Sequence, residues 1–164
     1  MLARTPYPHG WFATETRLDE LERLRAELTA IDGSIVAIEP STLRRAELLA
    51  ARKRVYEMLH PGSRHGGAPG RAGGGKARRS EEGRPAIRSH AADAATRTGL
   101  SERTVRQLVQ IAEDIPAPLR DLIRDTPLAL RQRQLLEIAR ACRDPEEQRR
   151  RVGAALTATP PAQA

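Results

Sequence analysis

The sequence is poor in the residues that build large cores, disulfides and metal sites. Only 2% of its 164 residues are aromatic, and the single cysteine, Cys142, excludes an intrachain disulfide. The four histidines include no pair four residues apart, so neither a metal site nor another cofactor is expected. No apolar run approaches the roughly 18 residues of a membrane span, and residues 1–13 lack the apolar core of a secretory leader. These deficits favour a cytoplasmic protein built from modest helical clusters, with no membrane partner.

What the sequence has in excess is positive charge. There are 28 lysines and arginines against 21 acidic residues, and a net charge of +7 favours a polyanionic partner. Residues 61–90 contain most of the glycines and much of this charge, with too few apolar residues to offset the entropy of ordering. We predict a flexible basic linker. Its basic side chains either bind DNA phosphates without sequence preference or belong to a solvated spacer. These side chains are Arg71, Lys76, Arg78, Arg79, Arg84 and Arg88.

The run GRAGGGK at 70–76 is not a nucleotide-binding loop. It lacks the spacing and the following Ser or Thr of a Walker loop, and no strand leads into it. The acidic residues lie among basic ones on helix surfaces, where ion pairs are more common than catalytic dyads. We therefore expect no enzyme activity.

Apolar spacing predicts an all-α fold in four parts. Residues 1–60 form a helical pair, with a first helix from near Thr16, a break at Asp32-Gly33-Ser34 and a second helix from Ser41 or Thr42 to His60. The linker covers 61–90. A helix-turn-helix domain with trailing helices covers 91–156, with one of these helices over 128–143 and the last capped by Asp144. A disordered tail covers 157–164.

The stretch from Ala91 to Ala112 has the form of a helix-turn-helix. Ala95 is small where two helices would cross, and Gly99 can adopt the positive φ of a sharp turn. Val105 would face the first helix, and Ser101 is placed to cap the second. In DNA-binding modules of this kind the second helix lies in the major groove.

Polar side chains are predicted on the outward face of this second helix. Arginine can bind guanine in a bidentate manner and glutamine can bind adenine, while hydroxyls near the helix start can bind phosphate. The alternative is an ordinary solvated helix face. The candidate DNA-binding residues are Ser101, Arg103, Thr104, Arg106, Gln107 and Gln110.

The run HAADAATRTGLSERTVRQLVQIAEDI resembles the helix-turn-helix of ParB-like partition proteins, including the plasmid and phage branch described as nuclease-like. YEMLHPGSRHGG and IRDTPLALRQRQLLEIARACRDPEEQRRRV resemble further segments of that branch. The resemblance covers about residues 15–152. It implies DNA binding, and it implies as partners double-stranded DNA, a partition ATPase or a full-length family member. A homodimer is left open.

The family's nucleotide site does not carry over to this chain. Its Gly-Arg-Arg motif is absent, and after Ile31-Asp32 the family's Glu, Asn and Arg are replaced by Gly33, Ser34 and Ala37. None of these can supply a carboxylate to a cation or a charge to phosphate. We therefore expect a DNA-binding ParB-like protein of partition or regulation, without a CTP or nuclease site. A protein-interaction adaptor or a truncated remnant that no longer binds DNA is the alternative.

Overall fold

The computed structural model describes residues 11–37, 41–63, 88–141 and 144–158, and only the backbone of 11–16 and 37. These ranges contain α-helices and two short 3-10 turns, and no strand lies within them. The all-α fold class is confirmed. The helices are α1 (Trp11–Ala37), α2 (Thr42–Leu59), α3 (His90–Thr98), α4 (Glu102–Asp114), α5 (Ala117–Ile123), α6 (Gln132–Arg140) and α7 (Pro145–Thr157).

Helix α1 is longer than predicted at both ends. It begins at Trp11 rather than near Thr16, because no helix breaker lies between Trp11 and the predicted cap. The predicted break at Asp32-Gly33-Ser34 is wrong, since the helix runs through it to Ala37. The Ser34 hydroxyl donates to the Ala30 carbonyl at 2.9 Å, and Ile35 is buried in the core. This packing outweighs the cost of about 1 kcal/mol for a glycine inside a helix.

Helix α2 is the centre of the fold. It packs most extensively against α4 and also against α1, and α4 packs in turn against α3 and α6. A single apolar core runs from Ile35 and Leu43 through Val105 and Leu135 to Val152. The helices on either side of the predicted linker therefore share one core, although the sequence pattern placed them in separate parts.

Side-chain caps fix where most helices begin. The hydroxyls of Ser41, Ser89 and Ser101 accept hydrogen bonds from the third residue beyond each, at the starts of α2, α3 and α4. The carboxylate of Asp144 caps α7 in a similar way through the Glu146 N–H. The caps predicted at Ser41, Ser101 and Asp144 are confirmed.

Both ends of the predicted linker belong to helical segments. Pro61–Ser63 form a 3-10 turn after α2, and His90 is the first residue of α3. The capping hydroxyl of Ser89, inside the predicted linker, is what starts α3 there. His90 is buried beside Tyr56, which supplies an apolar contact that the linker composition did not suggest.

The single helix predicted over 128–143 is wrong. Pro127–Leu130 form a 3-10 turn, and α6 begins only at Gln132. Arg131 between them has non-helical backbone angles, with φ −96° and ψ 83°. The Leu130 carbonyl accepts a hydrogen bond from the Thr42 hydroxyl at 2.9 Å, so the turn is attached to the start of α2.

Candidate nucleic-acid interface

Helices α3 and α4 are joined by a tight turn at Gly99. Gly99 has φ +72°, and its N–H donates to the Ala95 carbonyl at 3.0 Å. A left-handed residue at this position satisfies the last carbonyls of α3 and redirects the chain. Ser101 then starts α4 two residues later, so the predicted turn and cap are both present.

The inner faces of the pair form part of the core. Ala94 and Val105 have no exposed surface, and Leu108 is 1% exposed. Ala95 and Leu100 are partly buried against the same cluster. Of the predicted packing residues, Val105 is in the core and Ala95 is partly buried against it, while the use of the pair as a DNA-binding module stays a prediction.

Two of the six predicted contact residues, Ser101 and Thr104, are engaged in the cap of α4. The Ser101 hydroxyl accepts the Thr104 N–H at 3.1 Å, and the two hydroxyl oxygens lie 2.9 Å apart. Thr104 is also partly buried. Any contact of these hydroxyls with phosphate would compete with the cap.

The other four residues lie along one face of α4 at helical spacing. We call Arg103, Arg106, Gln107 and Gln110 the α4 outer face. Among the described residues, Arg103 is exposed and has no ion-pair partner. The Arg106 guanidinium donates a hydrogen bond to the Glu102 carboxylate, and the Gln110 amide donates to the Asp114 carboxylate at 3.0 Å. Arg103 is thus the side chain of this face that is free to bind a ligand without first breaking a contact.

Helix α6 extends the α4 outer face, and this extension was not predicted from the sequence. The side-chain amide of Gln132, at the start of α6, donates to the side-chain oxygen Oε1 of Gln107 at 3.4 Å. Arg131 and Arg140, at the two ends of α6, are exposed and have no carboxylate partner within the described ranges. The two helices are distant in sequence, so no local pattern could have indicated their contact.

Most of the predicted phosphate contacts in the linker lie outside the described residues. These are Arg71, Lys76, Arg78, Arg79 and Arg84. Arg88 lies just before α3 with its side chain exposed, and its carbonyl accepts a hydrogen bond from the Tyr56 hydroxyl at 2.9 Å.

A buried polar cluster holds α3 against α1 and α2. The Arg52 side chain is fully buried, with Nε 2.6 Å from Asp32 Oδ1 and Nη2 2.6 Å from Asp93 Oδ2. The exposed Arg97 lies 3.6 Å from both carboxylates. We call Arg52, Asp32, Asp93 and Arg97 the Arg52 cluster. Its ion pairs join α3 to α1 and α2.

Hydrogen bonding decides the charge state of this cluster. Burial lowers the pKa of Arg52, but the hydrogen bonds to Asp32 and Asp93, together with their charges, raise it by more, so the guanidinium stays charged. Next to it, burial and the charges of Arg52 and Lys53 lower the pKa of His90 to about 4. His90 is therefore neutral in the folded protein at neutral pH. Arg52 lies in a row with Leu48, Val55 and Leu59 at helical spacing, but an arginine in such a row commonly lies at the edge of a core. The sequence therefore does not indicate that Arg52 is fully buried.

Comparisons with known proteins give no relative for this chain. No family model matches it, and neither a curated protein nor a solved structure is significantly similar. In the described part of the chain, no helix is both long and apolar enough to cross a bilayer. The resemblance to ParB-like proteins consequently rests on the residues quoted above and stays a prediction.

Proposed function

We propose that this protein binds double-stranded DNA through the α4 outer face, as a ParB-like protein of partition or regulation without a nucleotide or nuclease site. The observation that carries the proposal is the placement of α4. Its inner face is part of the core, its first turn follows a sharp bend, and its outer face presents Arg103 without an ion-pair partner among the described residues. A rigid helix with exposed arginine and glutamine side chains suits base recognition in a major groove.

The acidic residues near this face do not oppose the proposal strongly. Glu102 is bonded to Arg106, Asp114 accepts from Gln110, and Glu113 pairs with Lys53 at 2.8 Å. Their charge is thereby partly compensated. Rearrangement of Arg106 away from Glu102 would present a second guanidinium at small cost, since exposed pairs of this kind contribute only about 0.5 kcal/mol.

The test is selection of bound fragments from genomic DNA, followed by binding measurements on the selected duplex and on random duplexes. We expect Arg103→Ala to weaken binding to the selected duplex by about tenfold, the effect of removing one bidentate base contact, and to change random binding little. Arg25→Ala, which removes another exposed arginine without an ion pair in the described structure, is the matched control on α1. Equal weakening on all duplexes would contradict base recognition, and absence of any binding would favour the protein-interaction adaptor.

The linker is tested separately by salt dependence. We expect deletion of residues 64–87 to weaken the salt dependence of binding. The slope of log K against log salt concentration should become less negative by about 0.9 for each phosphate that the linker neutralises. An unchanged slope would assign the linker arginines to a solvated spacer.

A further inference from the structure

A second basic surface lies on the other side of α4, in a cleft between α2, α4 and α5. The cleft has a volume of about 570 Å³. We call it the α2–α5 cleft, and its charged and floor residues include Arg44, Glu47, Arg54, Ala112, Arg120 and Arg124. No residue of the α4 outer face lines it.

The cleft contains more arginine than its carboxylates can neutralise. Glu47 is shared by three guanidinium groups, with Arg124 in a two-pronged contact at 2.9 and 3.0 Å, Arg44 at 3.6 Å and Arg120 at 3.7 Å. Arg124 also pairs with Asp121 at 3.0 Å, and the other carboxylate that lines the cleft, Glu113, is paired with Lys53. Arg54 is exposed and has no carboxylate within ion-pair distance among the described residues.

One donor in the cleft lacks an acceptor. The Arg120 guanidinium is held in place by Nη1, which donates to the Ala112 carbonyl at 2.5 Å. Its Nε is buried without a hydrogen-bond partner in the described structure, and its ion-pair contact with Glu47 Oε1, at 3.7 Å, is too long to be a hydrogen bond. An unsatisfied buried donor is costly, and an anionic oxygen entering the cleft would offset this cost.

We propose that the α2–α5 cleft is a binding site for a phosphate group. Forked guanidinium donors are suited to phosphate oxygens, and Arg120 and Arg124 are already fixed by their contacts within the protein. Small side chains at Ala50, Ala51 and Ala112 leave room for the ligand to approach. The phosphate belongs either to a free phosphate compound or to a nucleic-acid backbone, and the site does not depend on base recognition by α4.

The experiment compares two variants that differ from wild type by the same charge. Arg44→Ala/Arg54→Ala removes two exposed arginines of the cleft, and Arg23→Ala/Arg25→Ala removes two exposed arginines of α1. Binding of pyrophosphate is measured by calorimetry at constant ionic strength, and binding of a duplex by fluorescence anisotropy over a range of salt concentrations. None of the four arginines is in the core, so all variants should fold.

We expect the cleft variant to weaken phosphate binding by about tenfold and the α1 variant to stay within about twofold of wild type. Weakening confined to pyrophosphate identifies a free phosphate compound. Weakening confined to the duplex, with the salt slope lowered by about 0.9 per phosphate contact, identifies a backbone. Equal behaviour of the two variants, or no binding of either probe by wild type, would overturn the proposal. The Arg103→Ala result does not bear on it, so the two proposals fail separately.

Discussion

Two arginine clusters in this protein have opposite composition. In the Arg52 cluster, one buried guanidinium is held by two carboxylates from two different helices. In the α2–α5 cleft, one carboxylate, Glu47, is shared by three guanidinium groups near the surface. The first arrangement neutralises the buried guanidinium, although Nη1 of Arg52 has no hydrogen-bond partner in the described structure, and the second leaves positive charge available to a ligand.

The difference follows from the cost of removing charge from water. A buried charge must be paired and hydrogen-bonded, because the uncompensated desolvation penalty is several kcal/mol. An exposed arginine is solvated and needs no partner, so a surface cluster can tolerate an excess of one sign. We therefore expect the Arg52 cluster to determine stability and the Glu47 cluster to determine binding.

The largest expected effect is that of Arg52→Met. This change removes the two hydrogen-bonded contacts of Asp32 and Asp93 and leaves them only the exposed Arg97, 3.6 Å away. Removing one partner of a buried pair costs about 3–5 kcal/mol. Denaturant unfolding at neutral pH measures this directly. Arg124→Met is the comparison in the other cluster, and its exposed ion pairs should contribute less than about 1 kcal/mol. Similar destabilisation of the two variants would remove the distinction between the clusters.

An intermediate effect on stability is expected from the protonation of His90, which lies next to the Arg52 cluster. The pKa of His90 is about 4 in the folded protein against an ordinary value of 6.5. Between these values the unfolded chain binds more protons, so the free energy of unfolding falls as the pH drops from about 6.5 to about 4. The contribution of His90 to this fall is about 3 kcal/mol.

The variant His90→Gln isolates this contribution. It removes the titrating group while keeping a polar side chain, so its unfolding free energy should depend less steeply on pH in this window. Carboxylate titrations are common to both proteins and cancel in the difference. If the free energy of unfolding depended on pH equally in the wild type and the variant, His90 would not be held neutral by burial and by the charges of Arg52 and Lys53.

Local features of the fold could be predicted from the sequence because they depend on neighbouring residues. The turn at Gly99 and the caps at Ser41, Ser101 and Asp144 each need a particular residue within one helical turn. The break at Gly33 was predicted wrongly for the same reason. A glycine signals a break locally, but the burial of Ile35 and the contact of Asp32 with α2 depend on helices elsewhere.

The candidate sites were less predictable because they join distant residues. The α4 outer face follows from helical periodicity alone, and its four residues do share a face. Its extension by Gln132 required the contact between α4 and α6. Both arginine clusters combine residues from distant helices, and nothing in the sequence around Arg52 or Glu47 distinguishes the buried ion pair from the exposed one.

The smallest expected effect comes from removing a single carboxylate in each cluster. Asp93→Asn takes a charged acceptor from the fully buried Arg52 and should cost more stability than Glu47→Gln, because the arginine partners of Glu47 are 22–57% exposed and can be solvated when the carboxylate is lost. Glu47→Gln should in addition tighten phosphate binding in the α2–α5 cleft, because Arg44 and Arg120 lose this competing acceptor and Arg124 keeps only Asp121. Asp93→Asn should leave that affinity unchanged. Denaturant unfolding and calorimetry on the same two variants give both quantities, and an opposite order of the stabilities would show that Glu47, not Arg52, is central to the fold.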